Sequence, residues 1–140
     1  MRHLPSHAVA PIATPDSERF WAGCDEGRLL LRKCRACQQV SYYPRLACPR
    51  CSDRELDWIE ASGRGVVHSY TTVYTSFYGS DWEPDIPYTV LLVDLAEGPR
   101  MLSRLIGEDR GLRTGIPVEV AFHAIGGRRY PLFKLEARER

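Results

Sequence analysis

Past residue 65 the chain breaks into short runs of β-branched, aromatic and aliphatic residues at 66–75, 88–95, 100–106, 118–123 and 130–135. Gly, Pro and Asp punctuate it at 79–87, 97–99, 107–117 and 126–127. Such residues pack well on a pleated surface, while the breaks supply turn chemistry, so the pattern predicts strands joined by short loops. Five short strands, with an insertion before the fourth long enough for a helical turn at 108–113, predict a small Greek-key barrel of the OB type. An open antiparallel sandwich is the alternative.

The first half reads differently. Residues 1–13 mix His, Pro and Ala without a period and predict an irregular arm. A helix is then expected, with Thr14 as cap, Pro15 at the first helical position, and Asp16 and Glu18 at the positive end of the dipole. Phe20, Trp21 and Cys24 share one face of it, and Gly23 or Gly27 ends it. A helix this short is marginal alone, so its aromatic pair must dock on the body of the protein or on another chain. Strand-like residues at 29–32, 40–43 and 56–61 alternate with two cysteine pairs, and the turn 62–65 separates this part from the barrel. The expected divisions are 1–28 for arm and helix, 29–62 for a cysteine-clamped ribbon and 63–140 for the barrel.

Composition narrows the functional classes. The 140 residues are 44% hydrophobic and 26% charged, a globular balance that is neither disordered nor membrane-spanning. Net charge is +1, whereas a domain that tracks phosphate backbones usually carries a clear positive excess. A single-stranded nucleic-acid binder is therefore the second reading, kept because OB folds and zinc ribbons both serve that use.

The strongest chemical signal is Cys34-x-x-Cys37 followed by Cys48-x-x-Cys51. Two such hairpins place four thiolates around one ion at tetrahedral angles, which suits Zn²⁺. Disulfides are the competing reading, but residues 1–15 lack the apolar stretch of a secretory signal, so a reducing, cytoplasmic setting is expected. Iron in the same thiolate shell would make an electron carrier. A closed shell of this kind is structural, since no position stays open for substrate. Cys24 lies outside both pairs and reads as a small core residue.

No catalytic constellation stands out. His3, His7, His68 and His123 are scattered, and Asp81, Glu83 and Asp85 read as solvated loop charges. The stretch 76–87 is too long for a tight hairpin and carries Phe77, Tyr78 and Trp82, with Tyr70 and Tyr74 on one face of the strand before it. These rings either cover the barrel mouth or meet a ligand or partner, with Arg100, Arg104, Arg128 and Arg129 near enough to pair with phosphates.

Further motifs join these: Phe20-Trp21, Leu29-Leu-Leu-Arg-Lys-Cys34, Pro44-Arg45 before Ala47-Cys48-Pro49, Trp58, Ser62-Gly63-x-Gly65, Pro87-Tyr88, Val93-x-Leu95, Glu97-Gly98-Pro99-Arg100 and Gly115-x-Pro117-Val118. Together they resemble the zinc-ribbon/OB-fold proteins associated with acyl-CoA enzymes. The likeness runs from Phe20 to Val120, and departs from the pattern at Gln38 and Ser52, where ribbons often place Gly. It implies an N-terminal helix, a rubredoxin-like zinc ribbon and a C-terminal OB fold. It further implies a non-catalytic subunit of a thiolase-like enzyme, such as a thiolase, a hydroxymethylglutaryl-CoA-type synthase partner or a retro-aldolase of steroid side chains, or else a companion of an enoyl-CoA hydratase-like protein. The catalytic Cys and His would sit on that partner. Thiolase-like enzymes resemble one another in being dimers, so a two-plus-two heterotetramer is expected. Phe20, Trp21, Tyr74, Phe77, Tyr78, Trp82 and Arg104 are the residues expected at the acyl-CoA or partner surface, with acyl-CoA a ligand of the complex and no membrane involved.

Overall fold

The computed structural model describes residues 12–75, 86–125 and 127–136. One short helix, α1 (Glu18–Asp25), precedes a small antiparallel sheet of order β2-β1-β3, made of β1 (Leu30–Cys34), β2 (Val40–Ser41) and β3 (Leu56–Glu60). Register sets Arg32 opposite Trp58, and the guanidinium lies 4.4 Å from the indole centroid, a cation–π contact across the pair. β2 is shorter than the expected 40–43, because Tyr42 and Tyr43 leave the sheet to pack their rings against Phe20.

The second sheet holds β4 (Arg64–Val73), β5 (Tyr88–Leu95), β6 (Arg100–Arg104), β7 (Pro117–Ile125) and β8 (Arg128–Leu135), in the order β6-β5-β4-β7-β8. Its two ends meet: Leu105 bridges Phe133 in parallel and the Ile106 N–H donates to the Phe133 carbonyl at 2.8 Å. That contact curls the sheet into a nearly closed five-stranded barrel, rather than an open sandwich. Residues 108–113 form turns and no helix. Along β5 burial alternates, with Thr89, Leu91, Val93 and Leu95 inside. The buried Thr89 hydroxyl is satisfied by Thr72 at 3.0 Å.

The helix begins later than its Pro15 signal. Thr14 and Ser17 instead close a turn in which the Thr14 carbonyl accepts the N–H groups of Ser17 and Glu18, so Pro15 sits in that turn. The helix ends at Gly27, where φ is 76° and the Arg28 N–H reaches the Gly23 carbonyl at 2.8 Å, a Schellman arrangement. Gly23 lies inside the helix, where a Cβ would come 2.7 Å from Leu30.

The helix ties the two sheets together. Phe20 meets Trp21, Tyr42 and Tyr43 at ring separations of 5.1, 5.7 and 5.7 Å, and Trp21 meets Tyr130 of β8 at 5.7 Å. The Trp21 indole N–H donates to the Tyr43 hydroxyl. One apolar core therefore runs from Phe20, Cys24, Leu29 and Leu31 into Val67, Leu91, Met101 and Phe133 of the barrel. At its edge Arg128 pairs with Asp25 at 3.4 Å. Among the described residues no helix is long and apolar enough to cross a membrane.

Candidate metal centre and partner surface

Two hairpins of the same local design present the four cysteines. In the first, the Gln38 N–H donates to the Cys34 carbonyl (2.9 Å) and the Cys34 N–H to the Gln39 carbonyl (2.9 Å); in the second, Ser52 and Cys48 and then Cys48 and Asp53 repeat these bonds at 2.9 and 2.8 Å. Each hairpin needs a left-handed residue after its second cysteine, supplied by Gln38 at φ 64° and Ser52 at φ 67°.

The Sγ atoms of Cys34, Cys37, Cys48 and Cys51 all lie within 4.8 Å of one another. The pairs Cys34–Cys51 and Cys37–Cys48 are each 3.6 Å apart, and all five cysteines of the chain are free of disulfides. Four sulfurs held about 2.3 Å from one tetrahedral ion stand about 3.8 Å apart, close to the spacing found here, so the donor set suits Zn²⁺. The Arg50 N–H points at Cys48 Sγ at 3.4 Å. Hydrogen bonds from the Cys51 and Arg50 backbones draw the Cys48 thiol down to about 7, toward the thiolate that a metal needs.

Cys24 is separate from this cluster. Burial, with Asp25 adding to it, pushes its thiol up to about 12, so it packs as a small apolar side chain. His68 and Arg100 both reach Asp94, at 3.3 and 2.8 Å. All three are partly exposed on the barrel wall, and the Arg100 hydrogen bond holds the Asp94 carboxyl below its usual range.

The residues expected at a ligand or partner surface separate. Phe20 is fully buried and corrects that expectation: its ring faces the chain's own core, because Tyr42 and Tyr43 supply the surface it needs. Trp21 is also buried, its remaining 8% exposure opening onto a groove. Tyr74 is 72% exposed just past β4. Arg104 stacks 4.7 Å from the Tyr88 ring centroid. Phe77, Tyr78 and Trp82 lie outside the described residues.

Two open grooves mark the barrel wall. One, of about 400 Å³, is lined by Trp21, Tyr42, Met101, Arg104, Tyr130 and Leu132 among others. The other, of about 200 Å³, is lined by Ser69, Tyr70, Thr71, Val90, Leu92 and Leu102. Val90 and Leu102 border both, and Leu102 is 60% exposed, so the wall is apolar and continuous. Sequence reasoning passed over Val90, Leu92 and Leu102. Their signal is that the outward positions of β5, Tyr88, Val90 and Leu92, are apolar where an exposed sheet face alternates to polar.

Residues 21–57 match the family described as the ChsH2 rubredoxin-like zinc ribbon domain, and residues 58–123 match the ChsH2 C-terminal OB-fold domain. A DUF35 domain-containing scaffold protein of Methanothermobacter thermautotrophicus is 34% identical over 96 residues, 66% of this chain and 70% of that protein. The chain belongs to the DUF35 family. Other proteins similar to this DUF35 chain are named as parts of enzymes. A probable enoyl-CoA hydratase alpha subunit of Thermomonospora curvata is 31% identical over 77% of this chain, which spans only 33% of that subunit. The benzoylsuccinyl-CoA thiolase subunit BbsA of Geobacter metallireducens is 29% identical over 66% of this chain and 60% of that one. Among solved structures, a chain of the Ltp2-ChsH2(DUF35) aldolase superposes with TM-score 0.78 at 28% identity, covering 90% of this chain and 98% of its own.

Proposed function

We propose that this chain is a non-catalytic subunit, fixed by structural zinc, that pairs with a thiolase-like enzyme (a thiolase, acyltransferase or retro-aldolase) and supports its acyl-CoA site. The observation that carries the reading is the likeness to the chain of the Ltp2-ChsH2(DUF35) aldolase, which extends over nearly the whole of both molecules. Ribbon, helix and barrel share one core here, so the chain can present a rigid face. The apolar wall around Val90 and Leu102, with Trp21, Tyr74 and Arg104 nearby, is the surface assigned to the partner or to the acyl group. Because thiolase-like enzymes are dimers, a two-plus-two heterotetramer follows. The four thiolates also favour a reducing, cytoplasmic setting.

A hydratase-like partner is the second reading, favoured by the name of the Thermomonospora curvata relative. Affinity purification of the tagged chain from its native cells at moderate salt, with mass spectrometry, decides between them. The expected result is a thiolase-like enzyme in near-equal amount. Recovery of a hydratase-like enzyme selects the second reading, and recovery of nucleic acid, or of nothing by folded zinc-loaded protein, overturns both.

A further inference from the structure

β4 pairs with β5 from Gly65 to Val73, but on its other side β7 accompanies it only from Arg64 to Val66. Val67 is the last residue held there: its N–H donates to the Ile116 carbonyl at 3.0 Å and its carbonyl accepts the Gly115 N–H at 2.7 Å. Past the irregularity between Val67 and Ser69, no strand among the described residues runs along that side.

The direction of the open backbone groups follows from hydrogen-bond parity. The Leu105 N–H donates to the Thr89 carbonyl at 2.9 Å, so Thr89 directs its backbone toward β6. Its opposite residue, Thr72, belongs to a non-hydrogen-bonded pair and turns its N–H and C=O away from β5. Tyr70, opposite Leu91 and two positions earlier, does the same. Two donors and two acceptors thus stand in a row on an exposed edge. Residues 69–75, Ser-Tyr-Thr-Thr-Val-Tyr-Thr, contain no charge, Gly or Pro, although natural edges are usually blunted by such residues.

Resting on the partner reading above, we propose that this edge is the docking element: the backbone of Tyr70 and Thr72 takes up an extended, uncharged segment of the thiolase-like enzyme as an added strand. Strand addition draws its affinity from main-chain hydrogen bonds and its specificity from alternate side chains. Ser69 and Thr71 form one wall of the groove of about 200 Å³, so every second side chain of the added strand reaches it, and apolar ones fit. A second copy of β4 added antiparallel through the same open edge would bring Ser69, Thr71 and Val73 to that side, too small to fill it.

The test uses the full chain and the thiolase-like enzyme that copurifies with it. Amide hydrogen exchange at Tyr70 and Thr72 is fast in the isolated chain and slows by about tenfold or more in the complex. Thr72→Pro removes an outward N–H and no backbone bond to β5, although it also removes the hydroxyl that meets Thr89, and weakens the complex by about tenfold or more. Thr71→Lys, which leaves the backbone intact and charges the edge, does likewise without changing zinc content or thermal unfolding of the free chain. Unchanged exchange, or unchanged affinity in both variants, overturns the docking edge and leaves the partner reading standing. Protection already present in the isolated chain means its own residues cover the edge, and protection that grows with its concentration means a second copy does; either overturns the proposal. Failure of the folded, zinc-loaded chain to bind any thiolase-like enzyme overturns the partner reading with it.

Discussion

At Ser52 and Gln38 the backbone enters the left-handed region that costs a residue with a Cβ roughly 1–2 kcal/mol. The hairpins hold them there through paired backbone bonds around each cysteine, and Gln38 recovers part of the cost by donating its side-chain amide to the Arg35 carbonyl. Ser52 has no such bond among the described residues, which makes it the cleaner site to relax. Ser52→Gly in the zinc-loaded protein should gain about 0.5–1 kcal/mol after the entropy cost of glycine, or roughly 2–4 °C in Tm. Differential scanning calorimetry checks it, and an unchanged or lower Tm would mean the hairpin is not strained. The metal site was legible because cysteine spacing is local: each hairpin is complete within six residues, and only the meeting of the two hairpins is tertiary.

At the scale of elements, the strands were legible from their residue types and the helix only in part. Thr14, Pro15 and Asp16 look like a helix start, yet the Thr14 and Ser17 pair satisfies the same groups in a turn, and the helix begins at Glu18. Gly27 was one of two stops consistent with the sequence, and the positive φ selects it. What periodicity cannot tell is which surface an aromatic face meets. Phe20 finds Tyr42 and Tyr43, which lie far along the chain, and becomes core, whereas Trp21 meets Tyr130 and still borders the groove. Phe20→Ala should therefore cost about 3–5 kcal/mol, because it opens a cavity where helix, ribbon and barrel share one core. Urea unfolding measures this. A loss under about 1 kcal/mol would show that the helix is not the tie between the two sheets.

For the whole molecule, the near-neutral charge pointed away from a nucleic-acid binder and the scattered histidines and loop carboxylates away from an independent enzyme, while the apolar wall of β5 became visible only once registers were known. Tyr88, Val90 and Leu92 look like half of a buried run until β4 and β6 place them outward beside Thr71, Leu102 and Arg104. A wall of this kind, on a chain whose stability is coupled to a thiolate site, suits a scaffold better than a catalyst. The most direct measurement is acyl-CoA turnover by the purified thiolase-like enzyme with this chain, with its Cys48→Ser variant, and by this chain alone. The account predicts no turnover by the chain alone, full turnover by the reconstituted complex, and loss of zinc, of binding and of the added activity with Cys48→Ser. Turnover by the isolated chain, or partner activity indifferent to its presence, would contradict it.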